Sequence, residues 1–403
     1  MKPIILKDII EGKRWSAYKE VINQFADHGN LTISELAQYM NCSIPYITKS
    51  VNELIEQGMV YEVGRRENIA KRPPREYGLV PSCAYFLGID MGQNCVNFGI
   101  CDFCGNLVDS KYKVPFTYLD SEESLNEFVK LINDYIKTTN IDKALIQNIC
   151  IGVGGRVNPK EGRAYNCFTY LNRPLAEYLT ERMDVPVCID NDTRCMTYGE
   201  YLRGCCKEAN NVIFVNISWG LGIGIIFDGH LYIGKSGYSG EIGHMHIYNN
   251  GIICRCGKVG CMETETSGSA LQRKVNNLLM EGRTSILSER VVNQHMPLTL
   301  QDIIEAINKE DVLCIEALQE VAVELGTNLA GIINVFNPEL LVIGGDLSVM
   351  SEYLLPPIFM GIKKYSLNMV SEDSQILISS LGAQAGLVGA CLMARGKLLE
   401  NIQ

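Results

Sequence analysis

The chain has 403 residues, which is enough for two or three domains with sizeable hydrophobic cores. Hydrophobic residues make up 47% and charged residues 20%, as in an ordinary soluble globular protein, and most of the sixteen cysteines are expected to be reduced. Neither a membrane span nor a signal peptide is recognisable, so we expect a cytoplasmic protein that does not engage a membrane. The net charge of −10 argues against attraction of the whole chain to nucleic acid.

The charge is unevenly distributed along the chain. Residues 1–80 contain 11 basic and 10 acidic side chains, whereas the remainder contains 25 basic and 36 acidic ones. A nearly neutral N-terminal segment joined to an acidic body indicates a separate role for that segment. We therefore treat residues 1–80 as a candidate domain.

Three short helices are predicted within this N-terminal domain. Apolar residues recur at helical spacing between Trp15 and Phe25, which predicts the first helix. Thr32 and Glu35 form a possible capping box for the second helix. Ser43 can cap the third, with Pro45 in its first turn. This order of helices, with a turn between the second and the third, is typical of a helix-turn-helix.

A basic segment follows the third helix. It resembles the wing of a winged helix, whose cations neutralise DNA phosphates. The side chains of the third helix that do not face inward are available for a major groove. The alternative is a small protein-docking module with a solvated charged loop. The candidate DNA contacts are Tyr46, Thr48, Lys49, Asn52, Arg65, Arg66, Lys71 and Arg72.

The body contains two similar units, beginning near residues 84 and 212. Each reads as a strand, a turn containing glycine, a second strand and a hairpin, and each is followed by helices. This weak internal repeat is the pattern of a two-lobed, actin-like α/β fold. We place the first lobe at residues 84–200, completed by a C-terminal helix within 383–403, and the second lobe at 201–382.

A loop in the second lobe carries a candidate metal site. His244, Cys254, Cys256 and Cys261 supply the imidazole and thiolates that hold tetrahedral zinc, and a structural site needs four such ligands. His246 is a competing ligand that spacing alone does not exclude. The alternative is a flexible loop with free cysteines.

The same loop carries a family resemblance. GEIGH at 240–244, followed by CxCGxxGCxE at 254–263, resembles the signature of the ROK family, which comprises sugar kinases and sugar-responsive repressors. The resemblance extends over nearly the whole chain. It implies an N-terminal winged helix-turn-helix followed by a two-lobed actin-like (ribonuclease H-like) fold, with a structural zinc in loop 244–261.

The resemblance also implies a set of sugar-binding residues. In a kinase of this family, Asp192 would be the general base toward the hydroxyl that is phosphorylated. For the Asn-Asp pair at 191–192, the alternative from the sequence alone is a helix cap. The implied sugar ligands are Gly154, Gly155, Asn191, Asp192, Glu241, His244 and Glu263.

The phosphate-binding turns depart from the family pattern. At the first turn Asp90 and Gly92 remain, but Gln93-Asn94 replace Gly-Thr. At the second turn, before Gly222, Ser218-Trp219-Gly220 replace Gly-Thr-Gly, and a tryptophan has neither the hydroxyl nor the small size of threonine. Gly344-Gly345 lie where the family's adenosine loop is expected, although a strand-to-helix turn is the favoured interpretation because the phosphate-binding turns are altered. These differences argue against nucleotide binding.

Together these features predict a sugar-responsive transcriptional regulator of carbohydrate metabolism genes, with repression expected over activation. The expected partners are operator DNA, a sugar or sugar phosphate effector, and further copies of the chain in a homodimer or tetramer. The alternative is a kinase of hexoses or N-acetylhexosamines that uses ATP and Mg²⁺, or a bifunctional protein. The presence of Asp192 favours that alternative, and the altered turns oppose it.

Overall fold

The computed structural model describes residues 15–66, 73–92, 94–206 and 208–399. The chain forms two units. One contains the residues up to Asp192 together with those from Leu387 onward, and the other is Thr193–Gly386. The division at residue 192 falls inside a helix, near the predicted lobe boundary at residue 200.

The N-terminal segment of the first unit combines three helices with a small antiparallel sheet. The sheet order is β1-β3-β2. The elements are α1 (Trp15–His28), β1 (Leu31–Thr32), α2 (Ile33–Tyr39), α3 (Ile44–Glu56), β2 (Val60–Arg65) and β3 (Arg75–Leu79).

The predicted helix starts are present in this segment. The Thr32 hydroxyl accepts a hydrogen bond from the amide of Glu35 at 3.2 Å, and the Glu35 carboxylate accepts one from the Thr32 amide at 2.8 Å, so the capping box is confirmed. Ser43 occupies the cap position of α3, but its side chain makes no capping hydrogen bond. Buried side chains of all three helices, such as Ile22, Leu36 and Ile47, form the core of the segment.

The rest of the first unit is built on a five-stranded sheet of order β10-β7-β4-β5-β6. The pairs β4–β7 and β7–β10 are parallel, whereas β4–β5 and β5–β6 are antiparallel. The strands are Tyr85–Met91 (β4), Cys95–Asp102 (β5), Leu107–Pro115 (β6), Ile146–Val153 (β7) and Val187–Asn191 (β10), with a small hairpin at Val157–Asn158 (β8) and Arg163–Ala164 (β9). The helices are α4 (Glu122–Thr138) and α5 (Leu175–Met183).

The C-terminal helix α13 (Ala385–Leu398) packs against this sheet from residue 387 onward. A Cβ at Gly88 would lie 2.5 Å from the backbone nitrogen of Cys391, so only glycine allows the helix to approach β4 this closely. The amide of Asn148 on β7 donates to the carbonyl of Ala394 at 3.0 Å. The first unit is therefore completed by the end of the chain.

The second unit contains another five-stranded sheet, of order β13-β12-β11-β14-β15. As predicted, its first two strands repeat the strand–turn–strand pattern of β4 and β5. The strands are Val212–Ile217 (β11), Leu221–Phe227 (β12), His230–Leu231 (β13), Leu340–Gly344 (β14) and Gln375–Ile378 (β15). The helices are Asp192–Arg203 (α6), Glu263–Thr266 (α7), Gly268–Met280 (α8), Leu300–Asn308 (α9), Val312–Phe336 (α10), Ser351–Tyr365 (α11) and Asn368–Asp373 (α12).

The long helix α10 packs against α11 and supplies much of the core of the second unit. Among the described residues, no helix is both long enough and apolar enough to cross a bilayer.

Candidate functional site

The loop that connects β13 to α7 is folded on itself by short backbone bridges. His246 pairs with Cys261 and Ile253 pairs with Val259 in antiparallel bridges. Gly260 has a φ of 73°, and a Cβ there would overlap the carbonyl oxygen of Tyr248, so the turn requires glycine. This folding brings the predicted metal ligands together.

Four ligand atoms cluster in this loop, from His244, Cys254, Cys256 and Cys261, and all lie within 4.8 Å of one another. The Sγ atoms of Cys256 and Cys261 are 3.6 Å apart, and Sγ of Cys254 is 3.5 Å from Nδ1 of His244. A tetrahedral zinc site with ordinary bond lengths has S–S and S–N edges of about 3.8 and about 3.6 Å. The donor set therefore fits a tetrahedral ion.

His246, the competing ligand, has a different environment. Its side chain is exposed, and its Nδ1 lies 3.0 Å from the carbonyl oxygen of Val259. It is not a member of the four-residue cluster, so the geometry favours His244. Burial raises the pKa of the Cys254 thiol to about 12, so a bound metal has to displace a proton from this sulfur.

The imidazole of His244 has a carboxylate on its other side. Its Nε2 lies 3.7 Å from Oε2 of Glu241, while its Nδ1 faces Cys254. A metal on Nδ1 would leave Nε2 as a hydrogen-bond donor beside the carboxylate. This pair can therefore bind a hydroxyl group as both donor and acceptor.

Glu263 connects the cysteine-containing loop to the turn between β11 and β12. Its Oε2 accepts a hydrogen bond from the amide of Leu221 at 3.0 Å. Its Oε1 lies 3.6 Å from Sγ of Cys254 and 3.8 Å from Nε of Arg255, and the side chain is only 7% exposed. The sequence predicted Glu263 as a sugar ligand without indicating these internal partners.

The other predicted sugar ligands lie together in the first unit. The side-chain amide of Asn191 donates to the carbonyl of Gly155 at 3.0 Å and to Oδ1 of Asp192 at 2.9 Å. A Cβ at Gly154 would lie 3.5 Å from Oδ2 of Asp192. Asn191 ends β10 and Asp192 begins α6, so both stand at the carboxyl end of a parallel strand, where ligands bind in α/β folds.

Comparison with known proteins assigns the family. The family model described as "ROK family" matches residues 86–397, which is most of the chain. The chain belongs to the ROK family.

Full-length relatives in the ROK family include repressors. The chain is 28% identical to the xylose repressor of Caldicellulosiruptor bescii, covering 99% of this chain and 96% of that protein. It is also 28% identical to the DNA-binding transcriptional dual regulator NagC of Escherichia coli, covering 98% of this chain and 95% of NagC.

Two solved structures have the same ROK fold. A ROK family transcriptional regulator, a homologue of the E. coli MLC protein, has a TM-score of 0.80 and 26% identity, with 96% of each chain covered. A ROK family glucokinase from Streptomyces griseus, in complex with glucose and AMPPNP, has a TM-score of 0.67 and 26% identity. That match covers 99% of the glucokinase but only 77% of this chain.

The first of the two predicted phosphate turns contains internal hydrogen bonds. The Asp90 carboxylate accepts from the side-chain amide of Asn97 at 3.0 Å, and the Gly92 amide donates to the carbonyl of Cys95 at 2.9 Å. Gln93, which replaces a family glycine, lies outside the described residues.

The second turn has Ser218 and Trp219 before Gly220. The Ser218 hydroxyl donates to Oδ1 of Asn216 at 2.8 Å and accepts from the amide of Asp346 at 3.0 Å. Its hydroxyl is therefore already used for internal bonds, and the half-buried Trp219 offers none in place of the family threonine. These contacts weaken the case for a nucleotide phosphate at this turn.

The remaining glycines of the predicted nucleotide loops are explained by packing. A Cβ at Gly344 would overlap the ring of Phe214, and one at Gly345, where φ is 86°, would overlap Oδ1 of Asn216. A Cβ at Gly222 would lie 3.2 Å from Oγ1 of Thr193. Close contacts with β11 and α6 therefore account for these glycines without a nucleotide.

The predicted DNA contacts on α3 share one exposed face. Tyr46, Thr48, Lys49 and Asn52 are all exposed, although the Thr48 hydroxyl donates to the carbonyl of Ile44 at 2.8 Å. The other side of α3 carries Ile47 and Leu54, which are buried in the core of the segment.

The arginines at the end of β2 differ from each other. Arg65 is exposed, whereas Arg66 forms ion pairs of 2.6 Å with both Glu35 and Glu76. Arg66 thus connects α2 to β3, because its guanidinium pairs with one carboxylate from each element. Lys71 and Arg72 lie outside the described residues.

Proposed function

We propose that this chain is a sugar-responsive transcriptional regulator, acting as a repressor, of genes for carbohydrate metabolism. The N-terminal segment supports this proposal most directly. Its three helices and hairpin leave one polar face of α3 exposed. The xylose repressor matches 99% of the chain, whereas the glucokinase structure matches 77% of it.

Residues 1–80 are the DNA-binding domain in this proposal. Helices α2 and α3 form the helix-turn-helix and β2 with β3 forms the wing. The exposed side chains of α3 would read base edges, while the wing cations Arg65, Lys71 and Arg72 would contact phosphates. Arg66 would position the wing through Glu35 and Glu76. Because the domain serves chromosomal DNA, we place the protein in the cytoplasm.

The candidate sugar ligands form one group of polar residues in each of the two units. Glu241, His244 and Glu263 offer one group of donors and acceptors, and Asn191 with Asp192 offers another. Vicinal hydroxyls of a sugar pair well with carboxylates, which accept two hydrogen bonds side by side.

A structural zinc held by His244, Cys254, Cys256 and Cys261 belongs to the same proposal. When bound, the ion would close the loop and fix the ring of His244, as tetrahedral structural zinc does. The spacing of the four donor atoms supports it. The closed loop would then hold Glu241 and Glu263 at positions that a hydroxyl of the sugar can reach.

The regulatory step is thermodynamic linkage. A sugar that binds more tightly to one of two conformations of the chain shifts the population toward it, and DNA affinity changes by the same coupling free energy. Paired DNA-binding domains of a homodimer, or of two dimers in a tetramer, would match a two-fold operator.

Sugar kinase activity is the second candidate, and Asp192 favours it. Its carboxylate lies beside Gly154 and Asn191, where the family's general base is expected. Phosphoryl transfer also requires positioned phosphates, and the occupied hydroxyl of Ser218 opposes it.

The proposal is tested by selecting DNA from a random library with the full chain and measuring affinity for the selected sequence by fluorescence anisotropy. Adding xylose, glucose, N-acetylglucosamine or their phosphate esters should change that affinity at least about tenfold for one of them. Failure to select any sequence, or an affinity that none of these compounds changes, would contradict the proposal.

A further inference from the structure

Asn166 is an exposed residue that the proposed function does not use. It lies just after the small hairpin of β8 and β9. The backbone bonds of this hairpin extend to Tyr165, whose amide donates to the carbonyl of Arg156 at 2.9 Å. Beyond this pair the side chain of Asn166 replaces a backbone acceptor, because its Oδ1 accepts from the amide of Arg156 at 2.9 Å. A side chain therefore closes the open end of the hairpin.

This hydrogen bond lies beside the turn at Gly154 and Gly155. Gly155 has a φ of 88°, and a Cβ there would lie 2.7 Å from both Cγ and Oδ1 of Asn166. Only glycine lets the backbone approach the asparagine this closely. The amide of Arg156 belongs to the same peptide unit as the carbonyl of Gly155. Asn166 thus holds one side of that peptide unit.

The other side of the same peptide unit is bonded to a candidate sugar ligand. The carbonyl of Gly155 accepts from the side-chain amide of Asn191 at 3.0 Å, and that amide also donates to Oδ1 of Asp192 at 2.9 Å. Because a peptide unit is planar, the directions of its N–H and C=O groups are fixed relative to each other. Any rotation of this unit that breaks the bond to Asn166 also turns the acceptor of Asn191.

The segment that carries Asn166 is held in place by a strained residue. Phe168 is buried and has a φ of 50°, which is rare for a bulky side chain. Its amide donates to the hydroxyl of Tyr118 at 2.9 Å, and the two rings pack edge to face with centroids 5.1 Å apart. The amide of Thr169 donates to the carboxylate of Asp120 at 2.7 Å. Such strain persists only where the surrounding contacts over-determine the backbone, and it is concentrated at functional sites.

We propose that Asn166 is a positioning residue of the sugar site. Through the peptide unit of Gly155 and Arg156 it fixes the orientation of the Asn191 amide, and hence of the carboxylate of Asp192. The inference rests on the proposed function and deepens it. Asn166 acts through other groups and needs no contact with the sugar. Without its hydrogen bond the ligand groups remain present but are less well ordered, so the sugar binds more weakly.

The test is isothermal titration calorimetry of the full chain and its variants with xylose, glucose, N-acetylglucosamine and their phosphate esters. Asn166→Ala removes the acceptor and should lower the affinity for the compound that binds about tenfold or more. Asn166→Asp keeps an acceptor oxygen for the amide of Arg156 and should restore the affinity to within about threefold of the parent.

Asn172→Ala is the matched control and should bind the ligand as the parent does. Asn172 is an exposed asparagine of the same loop, and its side chain has no hydrogen bond among the described residues.

Hydrogen exchange of the amide of Arg156 gives a second readout that requires no ligand. It is measured by mass spectrometry on the peptide that contains this residue, in the sugar-free chain. Exchange should be faster in Asn166→Ala than in the parent and in Asn172→Ala, and close to the parent in Asn166→Asp. The midpoint of urea unfolding should be the same for all of them, because both asparagines are exposed.

Unchanged sugar affinity in Asn166→Ala, or unchanged exchange of the Arg156 amide, would overturn the inference. So would an equal loss of affinity in Asn166→Asp and Asn166→Ala, because the side-chain NH2 group would then be the part that matters, through direct contact with the ligand. Absence of sugar binding by the parent chain would instead count against the proposed function. The exchange data would still show whether Asn166 orders the peptide unit.

Discussion

Nε2 of His244 lies 3.7 Å from Oε2 of Glu241, while Nδ1 of the same ring faces Sγ of Cys254 at 3.5 Å. One imidazole therefore contacts the cysteine cluster and a carboxylate proposed to bind the sugar. Any change in the cluster that turns this ring also moves the donor beside Glu241. In the proposed function, metal binding and sugar binding would be coupled through this side chain.

Replacing Cys256 with Ser should therefore weaken both zinc retention and sugar affinity. Loss of one thiolate removes a ligand from a four-coordinate site, and the chain should fall from about one zinc per chain to well below that value after washing with a chelator. Elemental analysis and calorimetry on the same sample measure the two effects. Cys188→Ser, at a half-buried cysteine of β10 outside the cluster, is the control. Loss of metal with unchanged sugar affinity would contradict the proposed coupling between metal binding and sugar binding.

Replacing Asp192 with Asn should lower sugar affinity about tenfold or more, because the amide cannot accept as many hydrogen bonds from hydroxyls as the carboxylate. DNA affinity without sugar should not change. Anisotropy and calorimetry provide the two values. Asp184→Asn is the matched control, since Asp184 is an exposed helix cap at a φ of 53° that asparagine tolerates. Equal sugar affinity in both variants would remove Asp192 from the site.

Replacing Lys49 with Ala should weaken operator binding and lower the slope of log K against log salt by about 1, if Lys49 contacts one phosphate. The measurement is anisotropy over a series of salt concentrations. Lys130→Ala is the control, because Lys130 is exposed on α4 within the body. A salt slope that is the same in both variants would exclude a phosphate contact by Lys49.

Replacing Arg66 with Gln should destabilise the N-terminal segment in a pH-dependent way. Desolvation raises the pKa of Glu35, but hydrogen bonds from the Thr32 amide and from Arg66 outweigh it and hold the pKa below its usual value. A carboxyl with a lowered folded pKa contributes stability above its unfolded pKa, and that stability is lost as pH falls through the folded pKa. The variant should therefore differ from the parent at neutral pH and converge with it in acid.

The chain contains two tryptophans, so the fluorescence of Trp15 in a Trp219→Phe background reports on this segment alone. Urea titrations at pH 7 and at about pH 3 then measure the effect of Arg66→Gln. Arg75→Gln is the control, because its ion pair with Glu62 joins side chains that are 57% and 41% exposed and contributes little. A difference between Arg66→Gln and the parent that is equal at both pH values would refute the role assigned to Glu35.

The buried Glu200 has hydrogen-bond partners that cannot be predicted from the sequence. Its carboxylate accepts hydrogen bonds from the Ser379 and Ser380 hydroxyls and from the amides of Leu381 and Cys205, none of which the sequence indicates. Three of these partners are about 180 residues away along the chain, and periodicity contains no information on such pairs. Elements with local signals, such as the capping box at Thr32 and the cysteine cluster, were predictable because their partners are close in sequence.

The same distinction applies within the candidate site. The histidine and cysteine spacing predicted the cluster of possible metal ligands. The contact of Glu263 with Leu221 and, in the N-terminal segment, the two ion pairs of Arg66 depend on tertiary packing. Helix α11 was not predicted either, since Pro356 and Pro357 lie inside it and proline normally argues against a helix interior.

Truncating Glu200 to Ala should lower the free energy of unfolding by about 3 kcal/mol, because buried donors would lose their acceptor. Urea denaturation followed by circular dichroism measures the loss. Glu372→Ala, at an exposed glutamate of α12, should change stability by about 0.5 kcal/mol or less. Equal stability of the two variants would mean that the carboxylate of Glu200 is not needed as an acceptor.

We propose that the body binds a sugar as a signal and does not phosphorylate it. The most direct measurement is calorimetry of the full chain with the sugar panel and with ATP and Mg²⁺, followed by an assay for ADP release on the same sample. We expect heat of binding for one sugar or sugar phosphate, no binding of ATP and no ADP. Binding of ATP with sugar-dependent release of ADP would instead make the protein a kinase that carries a DNA-binding domain, and would contradict the claim.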